Sequence, residues 1–321
     1  MNQALQNLGL LALGTRLRVI SEQMMGTVKS FYEDNGLGFE PRWFPLFRIV
    51  QARPGIGMME LAQAIGVSHV AVNAFCKQLM ANNLITLTPD PNDARAKQLS
   101  LSPEGEVLYT RLEPAWFVLK EALQNVFPED DATRLLATLS QLEEALDEKA
   151  IPRGLKSILK PANVLGTLKI VPYSHDNPDH KRYFTALNIE WLEQYFTVEP
   201  VDWQMFADPH ATIIAKGGSI YMAQVGSQIV GTCALVKRSE DMYEMAKMAV
   251  SSLFQGKGIG TKLVAVILDH ARSLGLKKLY LVSSVKLPYA VATYRKLGFV
   301  DSDLAIHDLY ERADITLEKT L

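Results

Sequence analysis

Gly256, Gly258 and Gly260 alternate within Gln255-Gly256-Lys257-Gly258-Ile259-Gly260. They stand between an apolar run ending at Val250 and an amphipathic one in which Ile259, Leu263, Val266, Ile267, His270 and Leu274 fall at helical spacing. The first turn of a helix carries N–H groups without internal acceptors and the positive end of the helix dipole. A glycine-rich entry lets those amides approach a phosphate without Cβ interference. The pattern is neither Gly-x-Gly-x-x-Gly with a later acidic residue nor Gly-x-x-x-x-Gly-Lys-Ser/Thr, so it fits a dinucleotide fold and a P-loop poorly. Taken by itself, the hexapeptide has an alternative reading as three glycines that allow tight packing.

Such a turn needs a strand before it and a helix after it. "SIYMAQVG" (219–226), "SQIVGTCALVKR" (227–238) and "MYEMAKMAV" (242–250) are short apolar runs separated by turn residues, which reads as an antiparallel meander. Gly275 is placed to end the helix that follows the turn. "KKLYLVSS" (277–284) is a further strand, and "PYAVATYRKLGFV" (288–300) a short helix closed by Gly298.

The turn after an apolar strand, followed by a strand and then Ala-Thr-Tyr-Arg-Lys-Leu-Gly-Phe, resembles the GNAT superfamily of acyl-CoA-dependent N-acyltransferases over residues 168–321. The resemblance implies an α/β (α+β) fold with a mixed, mainly antiparallel sheet. It implies acetyl-CoA as co-substrate, with its pyrophosphate on the amides of Gln255, Gly256, Lys257, Gly258, Ile259, Gly260 and Thr261. Met248, Ala249 and Val250 match the strand that pairs with pantetheine through its backbone. An amine must lose a proton before it attacks a thioester, and the departing thiolate benefits from a proton donor. Glu244 matches the base and Tyr294 the donor near the sulfur. Their alternatives are an exposed strand glutamate opposite Lys247 or Lys237, and a buried aromatic with a satisfied hydroxyl. Leu287 stands where many members carry an asparagine that contacts the cofactor.

In such a fold the first two helices form the acceptor pocket. Residues 178–196 carry a stripe of Tyr183, Phe184, Leu187, Trp191 and Tyr195, which reads as core or as binding surface. Asn188, Glu190 and Glu193 suit a cationic amine, and a solvated helix face explains them equally well. His175 and His180 with Asp176 and Asp179 lie in a loop without further ligands, so no metal is expected.

The front of the chain has a second constellation. Leu61, Ala62 and Ile65 share a helix face that ends at Gly66, and Ser68 caps a helix carrying Val72, Phe75 and Leu79. "LITLTPD" and "AKQLSLS" then alternate around Pro91-Asn92-Asp93 as a two-stranded ribbon. This mostly α, winged-helix pattern over residues 10–145 resembles MarR-type transcriptional regulators. The resemblance implies double-stranded DNA as partner, a homodimer built from helices near residues 8–34 and 104–148, and DNA contacts from Ser68, His69, Val70, Asn73 and Lys77. Arg95 would be the wing contact in the minor groove. Ala74 lies where a polar residue is common, and Asp90 and Asp93 flank Arg95. The alternative is a winged helix kept as a dimerisation scaffold.

The bulk composition fits a fusion of the two. The 321 residues are 48% hydrophobic and 21% charged, with 33 Lys plus Arg against 35 Asp plus Glu. That length suits two domains, read as 1–150 and 168–321, with a linker at 151–167. The linker reading rests on Pro152, Gly154, Pro161 and Gly166. Cys76 and Cys233 read as free thiols of a reducing cytoplasm. No signal peptide, membrane span or membrane partner is expected. The reading is a cytoplasmic regulator and N-acetyltransferase in one chain. Its rivals are a regulator whose back domain only senses acyl-CoA, and an enzyme whose front domain only dimerises.

Overall fold

The computed structural model describes residues 3–89, 97–304 and 310–321. The chain divides into two compact units, Met1–Gln141 and Leu142–Leu321. The first contains α1 (Gln3–Asn7), α2 (Leu13–Asp34), α3 (Phe44–Ala52), β1 (Ile56–Gly57), α4 (Met58–Ile65), α5 (His69–Ala81), β2 (Ile85–Pro89), β3 (Lys97–Leu101) and α6 (Pro103–Val126). The helix α7 (Glu129–Asp147) runs across the division.

Local chemistry sets the turns of the first unit. Gly66 closes α4 with φ 74°, and its amide reaches back to the carbonyl of Ala62. Ser68 then opens α5 by accepting the amide of Ala71 at 3.2 Å. Together they give the expected helix-turn-helix. The wing strands pair antiparallel with Leu87 opposite Leu99, and β1 adds a third strand on the far side of β3. Two residues leave no periodicity, which is why β1 was invisible in the sequence. Leu99 packs into one core with Leu61, Val72, Cys76, Leu79 and Leu112. Ser102 caps α6 by accepting the amide of Gly105 at 2.9 Å, and it donates to the carbonyl of Asn83. Gly105 is required because a Cβ there would overlap the carbonyl oxygen of Leu84. The wing tip with Asp90, Asp93 and Arg95 lies outside the described residues.

The second unit contains α8 (Ala150–Ile158), α9 (Pro161–Thr167), β4 (Leu168–Pro172), α10 (Pro178–Tyr195), α11 (Pro200–Ala207), β5 (Ser219–Val225), β6 (Gln228–Lys237), β7 (Tyr243–Val250), α12 (Ile259–Ser273), β8 (Lys278–Ser283), α13 (Pro288–Lys296), β9 (Val300–Asp301) and β10 (Ile315–Thr320). Its strands run in the order β4-β5-β6-β7-β8-β10-β9. Every pairing is antiparallel except β7 with β8. The architecture is thus a helical winged-helix unit and an α/β unit with a mixed, mainly antiparallel sheet.

Both faces of that sheet are covered. Cys233 and Leu235 of β6 pack with Leu263 and Ile267 of α12, while Ala234 and Val236 pack with Phe184 and Leu187 of α10. Alternate side chains of β6 therefore enter two cores, and its burial is continuous from Ile229 to Val236. The segment read as a linker is largely helical. Pro161 sits in the first turn of α9, where its missing N–H costs nothing, and Val164 is buried with Leu263 and Leu279. No helix among the described residues is long and apolar enough to cross a membrane.

Candidate functional site

The two parallel strands of the second unit come apart. Among the described residues β7 is bonded to β8 only where Glu244 faces Tyr280 and Met245 faces Leu281, so the stretch 246–250 has no described strand partner on that side. A bulge accompanies the departure. Thr232 of β6 pairs with Ala249 while Ala234 pairs with Ala246, which leaves β7 one residue in excess. Lys247 sits in that excess with φ 52°. A side chain at positive φ costs on the order of 1 kcal/mol. Lys247 is anchored there by a buried ion pair, its Nζ 2.7 Å from Asp202 Oδ1. The split opens a cleft with about 720 Å³ of empty space, mouth included, lined by Asn188, Trp191, Met248, Leu287, Tyr294 and Tyr310 among others.

The glycine turn lies at the end of the split strand. Gly256 has φ 72° and Gly258 φ 83°, and Gly258 caps α12 with no side-chain hydrogen bond. Among the described residues the amides of Ile259, Gly260 and Thr261 meet no protein acceptor; the Lys262 amide is the first to be bonded, to the Gly258 carbonyl at 3.2 Å. Side chains brace the turn from its carbonyl side. Gln255 Nε2 donates to the Val250 carbonyl at 3.0 Å, and Lys257 Nζ donates to Leu253 at 2.7 Å and Gln255 at 3.3 Å. A Cβ on Gly260 would come within 2.8 Å of Met248 Cε. Free amides on a 15-residue helix, approached through two positive-φ glycines, fit a diphosphate.

Tyr294 stands across the split from β7, its hydroxyl 3.8 Å from Met248 Sδ and its ring edge-on to Phe299. Burial raises its pKa and Cys233 adds to the rise, so the phenol keeps its proton well above neutrality. Glu244 is 2% exposed and does not pair with Lys247 or Lys237. Instead Arg238 clamps its Oε2, from Nε at 2.7 Å and also from Nη2. Its Oε1 has no protein donor among the described residues.

Arg238 begins a chain of polar contacts that sequence reasoning did not find. Arg238 Nη2 donates to the Tyr310 hydroxyl at 3.2 Å, and Lys247 Nζ donates to the same oxygen at 3.3 Å. Asp202 holds Lys247 and also takes Arg312 through both oxygens, at 2.7 and 2.9 Å. Burial would raise the pKa of Asp202, but Lys247 and Arg312 outweigh it and hold the carboxyl below its ordinary value. Glu199 accepts the amides of Glu311 and Arg312 and pairs with the Arg312 guanidinium at 2.9 Å. The one signal in the sequence was Asp202, an acid amid the apolar residues of "PVDWQMF".

The other candidates scatter. Asn188 is buried, lines the cleft and donates to the Phe184 carbonyl at 2.8 Å. Glu190 instead accepts the Ser252 amide at 3.2 Å, ahead of the glycine turn, and Glu193 faces solvent. The α10 stripe divides: Phe184 and Leu187 are core, Trp191 lines the cleft and Tyr195 is 52% exposed. Leu287 lines the cleft without a polar group. His180 Nδ1 accepts the Ser174 amide at 2.8 Å, and burial lowers its pKa despite Asp179. Among the described residues no three His, Cys, Asp or Glu side chains gather as a metal site. Both cysteines are buried, and burial raises Cys76 to about 11 and Cys233 further.

In the first unit, α5 buries Val72, Cys76 and Leu79. His69, Val70, Ala74 and Lys77 are exposed and Asn73 is half-buried beside them. The hydroxyl of Ser68 is engaged as the cap of α5.

Family comparison divides the chain along the same lines. Residues 181–299 match the model of the acetyltransferase (GNAT) family, and residues 37–96 match the model of the MarR family. The uncharacterized N-acetyltransferase YjgM of Escherichia coli (strain K12) is 26% identical over 41% of this chain and 80% of its own length. Mycothiol acetyltransferase of Corynebacterium glutamicum (strain R) is 34% identical over 30% of this chain, which spans only 32% of that relative. A GNAT family acetyltransferase from Elizabethkingia anophelis, solved with acetyl-CoA bound, is 22% identical over 48% of this chain and 99% of its own, with a TM-score of 0.35. The chain thus carries a segment that matches the MarR family, followed by a segment that matches the GNAT acetyltransferase family.

Proposed function

We propose that this protein is a DNA-binding regulator and an N-acetyltransferase in one chain, and that acetyl transfer proceeds by direct attack of an amine. The observation that carries the reading is the split between β7 and β8, which ends at a helix whose first amides meet no acceptor among the described residues. Acetyl-CoA, when bound, supplies an activated acyl carbon and a thiolate leaving group. The amides of Ile259, Gly260 and Thr261 receive the diphosphate, with Gln255, Gly256, Lys257 and Gly258 forming the turn that presents them. The unpaired edge of β7, from Met248 through Ala249 to Val250, bonds the pantetheine arm as a strand would. Glu244 takes the amine proton on Oε1 while Arg238 holds Oε2. Tyr294 keeps a proton on its hydroxyl beside Met248 and gives it to sulfur. Enzymatic proton transfer of this kind contributes about 100- to 10,000-fold. Tyr294→Phe and Glu244→Gln should therefore each lower kcat at least 100-fold in a thiol-release assay, with coenzyme A affinity little changed. Full turnover in both variants would remove these assignments.

For the front domain we propose DNA contacts from Ser68, His69, Val70, Asn73 and Lys77 of the α5 region, with Arg95 on the wing. The exposed face of Val70 and Lys77 supports the first group. A homodimer is proposed through the terminal helices, where Met24 and Met25 of α2, Phe117 and Val126 of α6 and Leu136 of α7 are exposed. Gel shifts at stepped salt test this half. Lys77→Ala should weaken binding at every salt concentration and flatten the salt dependence. No binding at low salt would leave the front domain as a scaffold.

A further inference from the structure

The acceptor side of the cleft has donors to spare. An ammonium has three N–H groups and a guanidinium five. The described residues engage two on Lys247, toward Asp202 and Tyr310. On Arg312 they engage two, both toward Asp202, with Glu199 as an ion-pair partner at 2.9 Å. The Tyr310 hydroxyl accepts from Arg238 and Lys247, and its own proton goes to no described partner. Lys247, Tyr310 and Arg312 all line the cleft; Asp202 and Glu199, which balance their charge, do not, and Asp202 is wholly buried. What faces the acceptor here is a surplus of buried, charge-assisted donors, which is costly to leave unmet.

One acceptor atom stands beside this surplus. Glu244 also lines the cleft, and among the described residues its Oε1 meets no donor while Arg238 occupies Oε2. Arg238 links Glu244 to Tyr310, and Tyr310 links on to Lys247. A proton acceptor and a set of cationic donors are thus joined through one arginine and one phenol, next to Trp191, Leu192 and Phe196. An amine on one side, an anionic oxygen pair on the other and an apolar body between them would satisfy all three.

From this arrangement we infer that the acceptor is an α-amino acid with an apolar side chain, its carboxylate held by Lys247, Tyr310 and Arg312. The inference rests on the acetyl-transfer reading above. The amine nitrogen forms the C–N bond to the acetyl carbon as the C–S bond breaks. The nitrogen's proton passes to Glu244 Oε1, and sulfur receives one from Tyr294. The products are an N-acetyl amino acid and free coenzyme A, and solvent returns the proton from Glu244 to Tyr294.

The test is thiol release from acetyl-CoA with matched acceptors: apolar α-amino acids, their amides and the amines that lack the carboxylate. The acids should exceed both partners in kcat/KM by roughly 10- to 100-fold, the effect of one or two charge-assisted hydrogen bonds. Arg312→Gln and Lys247→Met should each reduce that ratio about tenfold. Where either fails to bind coenzyme A, Tyr310→Phe decides, because it removes one donor and leaves the ion pairs; the ratio should again fall severalfold. Amides or plain amines turned over as well as the acids would overturn the inference and leave the acetyltransferase reading standing. So would a ratio unchanged in every folded variant, or no acid turnover by protein that binds coenzyme A. Protein that binds no coenzyme A would overturn the reading beneath it as well.

Discussion

Two helices in this chain begin at positions that the sequence marks as functional, and they begin in opposite ways. α5 of the helix-turn-helix is closed by Ser68, whose oxygen takes the Ala71 amide. α12 of the acetyltransferase domain starts from Gly258, with no side-chain cap and three amides that meet no protein acceptor among the described residues. A capped end stabilises the fold by about 1 kcal/mol, and an uncapped one forgoes that. The difference indicates where each helix does its work: α5 through exposed side chains along its flank, α12 through the backbone of its first turn. α11 takes the closed arrangement further. Glu199 and Asp202 form a capping box there, and Asp202 also neutralises Lys247 and Arg312.

The largest effect expected from disturbing these ends is at α11. Asp202→Asn leaves Lys247 and Arg312 without their shared charge in a buried site, and breaking one partner of such a group costs about 3–5 kcal/mol. Urea unfolding of the acetyltransferase domain should show it. The same group sets a pH dependence. Its folded pKa is depressed, so its contribution is complete above the unfolded value of about 3.9 and disappears as pH falls through the folded value. The Asp202→Asn penalty should accordingly shrink in acid below roughly pH 4. A penalty independent of pH down to that range would contradict the role given to its charge.

Opening and closing the α12 end comes next. Gly258→Val forces a β-branched residue to φ 83°, which it avoids, with its Cβ toward Leu165, and so distorts the turn. Loss of two charge-assisted bonds to the diphosphate should weaken coenzyme A binding by at least about 100-fold, read by calorimetry. The smallest effect is at α5: Ser68→Ala should lower the stability of the front domain by about 1 kcal/mol, measurable as a shift in its thermal transition. An equal loss of coenzyme A affinity from a capped and an uncapped helix start would erase the contrast between them.

Much of this was legible in the sequence, because it is carried by spacing. The alternating glycines, the periodic run after them and the Ser68 cap are local patterns, and the structure places all of them where that pattern points. The split of β7 from β8 is not local: it depends on one extra residue opposite Thr232 and Ala234, and a single residue leaves no period. The acid and cation network is harder still. Glu199, Asp202, Arg238, Lys247, Tyr310 and Arg312 come from four separate stretches, and only folding brings them into one network. Glu244 read equally well as a base or as an exposed strand residue, since nothing nearby in sequence announces Arg238 as its partner. The helical character of 150–167 was hidden by its prolines, which stand in first turns rather than between elements.

The most direct test follows the backbone amides themselves. With the protein labelled with nitrogen-15, coenzyme A is added and the resonances of Ile259, Gly260 and Thr261 are compared with that of Ala71. The three α12 amides should shift downfield together and saturably, because they gain an anionic acceptor, while Ala71 stays in place on Ser68. Coenzyme A binding that leaves the three unmoved would contradict the claim that this helix was left open for a diphosphate.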